Sequence, residues 1–202
     1  MASWFLNFLY SQLFISLPSP THDFSGQIII VTGANTGLGF EAAKHFVGLN
    51  ASKVILAIRT ISKGEAAKLA IQKSIPNSNT KVEVWHLDLL SYESVKAFAA
   101  QVMKLDRLDV LLENAGMMTG KFKLAEGDES TITTNVISTE LLALLVLPKL
   151  KETATRYGVL PRLSIVASDL HFIAKFPERN SEDVFVALND EKKANMGMER
   201  YF

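Results

Sequence analysis

Short apolar runs alternate with longer stretches of mixed polarity along most of this chain. Five of the runs are mostly apolar and predict β-strands over 28–31, 54–58, 82–87, 108–112 and 162–167. The stretches between them carry apolar residues at helical spacing and predict helices over 38–49, 62–73, 91–105 and 128–152. Apolar strands separated by helices indicate an α/β fold, with a parallel sheet covered by helices on both sides.

The first 20 residues differ from the rest. Residues 4–17 are apolar and nearly uncharged, and Pro18 and Pro20 then separate them from the domain over 21–202. The segment has no basic start and is shorter than the roughly 18 residues of a membrane span, so we expect a cytoplasmic protein. The favoured interpretation is a helix packed on the domain. The alternative is an interfacial membrane helix formed by residues 1–17, although such helices usually carry lysine and arginine.

Composition excludes several classes of function. Lysine plus arginine equals aspartate plus glutamate at 21 each, so the chain lacks the basic excess that a nucleic-acid-binding protein uses against phosphates. There is no cysteine, which excludes disulfides and thiolate chemistry. The four histidines are scattered, so we expect no metal site. The length of 202 residues fits one domain with a tail.

A glycine-rich turn lies between the first predicted strand and the first predicted helix. Its sequence over 32–39 is TGANTGLG, which spaces the glycines as Gly-x-x-x-Gly-x-Gly. Glycines let the backbone approach a pyrophosphate, and a helix N-terminus offers free N–H groups and the positive end of its dipole. We therefore predict dinucleotide contacts from Gly33, Asn35, Thr36, Gly37, Leu38 and Gly39.

Four further short motifs follow the turn in chain order. They are Asp88 after the third strand, the run Glu113-Asn114-Ala115-Gly116, Asn135 in the long helix, and Ser168 after the fifth strand. Together with the turn, these motifs resemble the short-chain dehydrogenase/reductase family over about residues 25–202. The subgroup resembled is that of retinol-dehydrogenase-like and fungal reductases. The family's NNAG motif has glutamate in its first position here.

This resemblance implies a Rossmann-type doubly wound parallel sheet that binds NAD(P). The last strands of that fold, and the lysine four residues after the family's catalytic tyrosine, have no residues here because the chain ends at Phe202. We therefore expect the domain to be truncated and the sheet to be incomplete at its C-terminal end. A homodimer is expected for a full-length form.

The resemblance also assigns roles to individual residues. Asp88 holds the adenine ring, and Asn114, Ala115 and Gly116 lie on the nicotinamide side of the cofactor. Ser168 holds the substrate oxygen, Asn135 organises a proton relay, and Tyr201 is the general acid/base. A tyrosine, whose pKa is near 10 when free, needs a nearby positive charge for this work at neutral pH. A terminal aromatic residue without a role is the alternative for Tyr201.

Cofactor choice depends on the end of the second strand. A carboxylate there binds the ribose 2′-hydroxyl of NAD, whereas arginine accommodates the 2′-phosphate of NADP. This chain has Arg59 and Lys63 at that corner and no acid before Glu65, which favours NADP(H). The alternative is that Arg59 and Lys63 are solvent-exposed residues at the start of a helix, with no role in cofactor binding.

The sequence thus predicts an NADP(H)-dependent oxidoreductase that interconverts a small carbonyl compound and an alcohol by hydride transfer. The subgroup resemblance implies a place in secondary metabolism. The alternative is a truncated, catalytically inactive fragment that binds a dinucleotide.

Overall fold

The computed structural model describes residues 2–168, 174–194 and 196, with side chains from residue 6 onward. The strands are β1 (Ile28–Thr32), β2 (Lys53–Ile58), β3 (Lys81–His86), β4 (Val110–Glu113), β5 (Leu124–Ala125), β6 (Asp128–Glu129) and β7 (Arg162–Ile165). The α-helices are α1 (Ala2–Phe14), α2 (Gly37–Gly48), α3 (Ile61–Ser74), α4 (Tyr92–Val102), α5 (Ser130–Ile132), α6 (Thr139–Tyr157) and α7 (Val184–Leu188). A π-helical turn over Thr133–Ser138 joins α5 to α6, and a 3₁₀ turn spans Pro177–Asn180.

Five strands form one parallel sheet in the order β3-β2-β1-β4-β7. The prediction of a Rossmann-type parallel sheet is therefore confirmed. The chain moves outward from β1 to β3, then returns to the other side of β1 through β4 and β7. The reversal of direction between β1 and β4 creates a crevice at the carboxyl ends of the strands, where ligands of such sheets bind.

The core lies on both faces of the sheet because successive side chains of a buried strand point in opposite directions. Ile29 and Val31 pack in a cluster with residues of α2 and α3, whereas Ile30 packs on the other face. On that second face, Leu111 of β4 meets Leu142 of α6. The alternation explains why the strands are apolar throughout rather than at every second residue.

Asp109 anchors the junction between β1 and β4. Its carboxylate accepts a hydrogen bond from the backbone N–H of Ile28 at 2.8 Å and another from Nε of Arg107 at 2.8 Å. Asp109 is buried, and these contacts give its carboxylate hydrogen-bond partners inside the protein. The contact fixes where β1 begins relative to β4.

The prediction of one helix over 128–152 is wrong at both ends, since helical structure spans 130–157. Residues 128–129 pair with β5 in a short hairpin, and helical structure begins only at Ser130. The hairpin turn places both Glu126 and Gly127 at positive φ, a conformation that glycine adopts freely. The buried carboxylate of Glu129 then caps α5 by accepting hydrogen bonds from the backbone N–H of Thr131 and of Ile132.

The helical stretch 130–157 is the one segment of the described chain that is long and apolar enough to cross a membrane. Half of its most apolar window is buried inside the domain, as in the core helix of a soluble protein.

The N-terminal helix forms but exposes its apolar side chains. Leu6 is 64% exposed and Leu13 is 71% exposed, and Tyr10 and Phe14 are also exposed. The prediction that this segment packs on the domain is wrong for these side chains. The linker 15–23 that follows is exposed throughout. Membrane contact through residues 1–17 stays a prediction.

Strand β7 forms an uncovered edge of the sheet. All four of its residues are exposed, including the apolar Leu163 and Ile165, and Val166 beyond it is exposed as well. The other four strands bury more of their residues, so β7 is the most exposed strand of this sheet among the described residues.

Candidate functional site

A cleft of about 210 Å³ opens where β1, β2, β3 and β4 end. Seven of the residues predicted to bind the cofactor line it: Gly33, Asn35, Arg59, Lys63, Asp88, Ala115 and Gly116. They come from the four segments that follow β1, β2, β3 and β4, and Lys63 among them lies in the first turn of α3. The structure therefore brings together residues that are up to 83 positions apart in the chain, such as Thr32 and Ala115.

The glycine-rich turn lies at the bottom of this cleft. Gly33 has φ of +67°, and a Cβ atom there would come within 3.0 Å of the Cα of Ala115. A side chain at Gly33 would therefore push the β4 loop away from β1. The turn continues through Thr36, Gly37, Leu38 and Gly39, which place the first N–H groups of α2 beside the cleft without lining it. The N-cap Thr36 makes no side-chain capping bond, so its helix terminus lacks that internal acceptor.

Arg59 and Lys63 flank the cleft where β2 ends and α3 begins. Both are exposed, and neither forms an ion pair with any residue that the structure describes. Between them, Thr60 caps the start of α3 with extended backbone, and its carbonyl accepts a hydrogen bond from the N–H of Lys63 at 3.0 Å. Two unpaired cations at one corner can bind a phosphate.

Asp88 lines the cleft just after β3, the strand next to β2. Its Oδ1 accepts a hydrogen bond from the N–H of Leu90 at 3.0 Å, and its own N–H donates to Oγ of Ser94 at 2.9 Å. These bonds hold the loop after β3 against the start of α4. The carboxylate is therefore held by the turn at the cleft wall and does not swing free.

Thr32 connects the two central loops, a role that the sequence analysis missed. Its Oγ1 accepts hydrogen bonds from the N–H groups of Asn114 at 3.0 Å and Ala115 at 2.9 Å. The side chain of Asn114 returns the contact by donating from Nδ2 to the carbonyl of Thr32 at 3.1 Å. Asn114 therefore supports the cleft from below rather than lining it. A threonine that ends a buried strand is the signal that could have indicated this contact.

Asn135 lies in the π-helical turn and clasps the loop after Gly116. Its Oδ1 accepts from the N–H of Met117 at 2.8 Å, and its Nδ2 donates to the carbonyl of Met117 at 2.9 Å. Both ends of the amide are thus used on one residue of the loop. A π-helical turn widens the helix and changes the direction of its side chains, which accounts for the contact of the Asn135 amide with the backbone of Met117.

Glu113 is the last residue of β4 and is only 3% exposed. Neither of its carboxylate oxygens has a hydrogen-bond partner. Burial, with a smaller contribution from the charge of Glu140, raises the pKa of Glu113 to about 8. A neutral carboxylic acid therefore lies directly below the Asn114–Gly116 loop at pH 7.

Ser168 follows β7 by three residues and is half-buried. Tyr201, the predicted acid/base, lies outside the described residues. Asn135 and Ser168 are the residues of the predicted catalytic set that lie within the described part of the chain. Within the described ranges, no three carboxylate or histidine side chains come together in a way that could hold a metal ion.

Comparison with known proteins finds similarity to short-chain dehydrogenases. A family model described as short chain dehydrogenase matches residues 27–169. The chain is 47% identical over 192 residues to the short chain dehydrogenase/reductase dmxR8 of Cryptosporiopsis sp., covering 94% of this chain and 59% of that protein. It is 46% identical over 192 residues to the short chain dehydrogenase FGM9 of Gibberella zeae, covering 95% of this chain and 56% of that protein.

Solved structures share the fold. An uncharacterised protein from Mycobacterium paratuberculosis superposes with a TM-score of 0.66 at 30% identity, covering 90% of this chain and 58% of that chain. A short-chain dehydrogenase from Sphingobium yanoikuyae in complex with NADPH superposes with a TM-score of 0.63 at 22% identity, covering 81% and 60%. The chain thus spans a little under 60% of the length of the two curated relatives named above.

Proposed function

This chain belongs to the short-chain dehydrogenase family, an oxidoreductase family, and we propose that it binds NADP(H) and moves a hydride between that cofactor and a small carbonyl or alcohol compound. The observation that carries the proposal is the cleft at the strand ends, whose walls come from the four loops that the family uses for its cofactor. Gly33 and Ala115 both line the cleft and lie too close together for a side chain at position 33. The backbone is therefore free of side chains at this point, as a bound pyrophosphate requires.

The choice of NADP(H) rests on Arg59 and Lys63. Both line the cleft, and neither is neutralised by a described acidic side chain. The 2′-phosphate of NADP carries the negative charge that these cations can pair with, whereas NAD offers a hydroxyl there. Asp88 lines the same cleft after β3, which fits a role beside the adenine ring.

The cofactor, when bound, supplies the hydride chemistry, and the chain's own residues position the reactants. In the proposal, Ser168 donates a hydrogen bond to the substrate oxygen, and Tyr201 exchanges the proton with it. Asn135, already bonded to the backbone of Met117, keeps the loop beside Gly116 in place and serves the proton relay. A secondary-metabolite substrate and a homodimer stay predictions.

Fluorescence titration with NADPH and NADH tests the cofactor assignment. We expect NADPH to bind more tightly, because charge-assisted hydrogen bonds to a phosphate contribute about 1.5–3 kcal/mol, which is at least about tenfold in affinity. Arg59→Ala should weaken NADPH binding by that factor and leave NADH binding almost unchanged. Lys73→Ala, which removes an exposed cation at the far end of α3, is the matched control. Absence of NADPH binding by the unaltered chain would overturn the proposal.

A second proposal is favoured by the uncovered strand β7. Its apolar residues Leu163 and Ile165 are 38% and 42% exposed, and Ser168 follows the strand by three residues. A substrate-binding surface built on this edge is therefore exposed, and the alternative that we propose to hydride transfer is a chain that binds the cofactor without turning over substrate. Steady-state turnover by the purified chain, with a panel of ketones and aldehydes and NADPH, would refute this second proposal.

A further inference from the structure

One buried carboxyl group beside the cleft has no role in the proposed chemistry. The side-chain oxygens of Glu113 and Ser138 are the buried ones without a hydrogen-bond partner in the described part of the chain. For Glu113 both oxygens are unpartnered, which is costly for a group inside a protein. A charged carboxylate would cost far more than a neutral acid at this place, so the surroundings select the protonated form.

The residues around Glu113 also favour its protonated form. In the sheet it lies beside Ile165 of β7 on one side, and β1 ends at Thr32 on the other, so neither strand brings a titratable group to it. From the helix layer, Glu140 near the start of α6 acts on it with a like charge. No described cation offsets these effects.

We infer that Glu113 is a positioning residue, which holds the Asn114–Gly116 loop ready for the cofactor while its carboxyl is protonated and releases the loop when the carboxyl ionises. The cofactor side of this inference rests on the proposed function. The protonation of Glu113 itself does not depend on it.

Backbone contacts connect Glu113 to the loop. Its carbonyl accepts a hydrogen bond from the N–H of Val166 at 2.9 Å, which ties it to the end of β7. The next residue, Asn114, makes the hydrogen bonds to Thr32 that bring the loop against β1. An ionised Glu113 must reach water to be solvated, and its side chain can do so only if this strand end moves. Movement there displaces Ala115 and Gly116, which line the cleft.

The direction of the pH effect follows from the raised pKa of about 8. The folded chain holds the proton up to that pH, so the loop is in place at pH 7 and is released as the pH rises through 8. If only the protonated form binds, NADPH affinity falls about tenfold between pH 7 and pH 9. Folding stability has a different window. The unfolded chain loses this proton near pH 4.5, so the contribution of Glu113 becomes increasingly unfavourable from there to about pH 8 and is constant above it.

The experiment compares the unaltered chain with Glu113→Gln and with Glu191→Gln, an exposed control that also loses one carboxyl. NADPH titrations run from pH 6.5 to 9.5, and urea unfolding is measured over pH 5 to 9 without cofactor. We expect the unaltered chain and the control to lose affinity with a midpoint near pH 8, and Glu113→Gln to show no such midpoint. In unfolding, the ratio of the unfolding constants of the unaltered chain and Glu113→Gln should rise toward tenfold per pH unit between about 5 and 8.

Parallel pH profiles of affinity for the unaltered chain and Glu113→Gln would overturn the inference. If NADPH binds at no pH, the proposed function fails, and the unfolding profiles still decide whether Glu113 is protonated. Should Glu113→Gln not fold, Glu140→Gln replaces it. Removing the like charge lowers the pKa of Glu113, so the affinity midpoint should move to lower pH, and an unchanged midpoint counts against the inference.

Discussion

The hydroxyl of Thr32 is the point at which the two central loops of the cleft meet, and Thr32→Val tests how much depends on it. Valine keeps the shape of the side chain and deletes Oγ1, the acceptor for the N–H groups of Asn114 and Ala115. Thr32 is only 1% exposed, so water cannot easily replace that acceptor. The substitution should therefore leave two backbone donors without a partner.

The size of the effect follows from the cost of an unsatisfied donor, which is about 1–3 kcal/mol each. Asn114 and Ala115 are half-buried, and this places both donors at the lower end of the range. We expect Thr32→Val to lower the free energy of unfolding by about 2–3 kcal/mol. Thr32→Ser, which keeps the hydroxyl and loses one methyl group, should cost about 1 kcal/mol.

Urea unfolding measures both variants, and amide hydrogen exchange shows where the change occurs. In Thr32→Val the amide protons of Asn114 and Ala115 should exchange much faster than in the unaltered chain, whereas in Thr32→Ser they should stay protected. NADPH affinity should fall in Thr32→Val because the loop that lines the cleft is less well held. Protected amides at both positions in Thr32→Val would refute the reasoning, whatever the stability change.

Two further predictions concern the core and the β1–β4 junction. Leu142→Ala removes a fully buried side chain between α6 and the sheet and should cost about 2–5 kcal/mol in urea unfolding, whereas Leu144→Ala, at a position 66% exposed, should change stability by less than about 0.5 kcal/mol. Equal effects would mean that the burial of α6 is wrongly assigned. Asp109→Ala leaves Arg107 and the N–H of Ile28 without their carboxylate and should cost about 3–5 kcal/mol in the same assay. A loss below about 1 kcal/mol would show that this pair is not a structural anchor.

The strands of the sheet were predictable because their pattern has a single explanation. Runs such as Ile28 to Val31 are apolar at every position, which suits only a strand buried on both faces. The glycine-rich turn was predictable for a related reason. A glycine at positive φ, packed against another loop as Gly33 is, has few substitutes.

The hairpin and the π-helical turn before α6 could not be predicted from the same pattern. Residues 128–138 are polar and apolar at spacings that also suit a helix, so periodicity alone continued the helix to Asp128. What decides the structure is local: the positive φ of Glu126 and Gly127 and the cap formed by Glu129. These are properties of the turn, not of the hydrophobic period.

The residues that line the candidate site were predictable, but the hydrogen bonds between its loops were not. Arg59, Lys63 and Asp88 could be placed at one crevice because the carboxyl ends of parallel strands share one edge. The contact of Thr32 with Asn114 and the isolation of Glu113 depend on which oxygen faces which donor in three dimensions. Sequence shows that Glu113 replaces an asparagine, but only the structure shows that its carboxyl has no partner.

The strand order also determines when each strand can pair while the chain is being synthesised. β1 is made first but lies in the centre of the sheet, with β2 on one side and β4 on the other. The pairing of β1 with β2 can form soon after both strands leave the ribosome. The pairing of β1 with β4 forms later, because Ile29 pairs with Val110, which is synthesised 81 residues after it. At about 5–20 residues per second, that interval lasts about 4–16 seconds. Throughout this interval, one edge of the apolar strand β1 has no neighbour and can pair with other nascent chains. The arrival of β4 therefore covers the free edge of β1 and ends the period in which this central strand is exposed to misassembly.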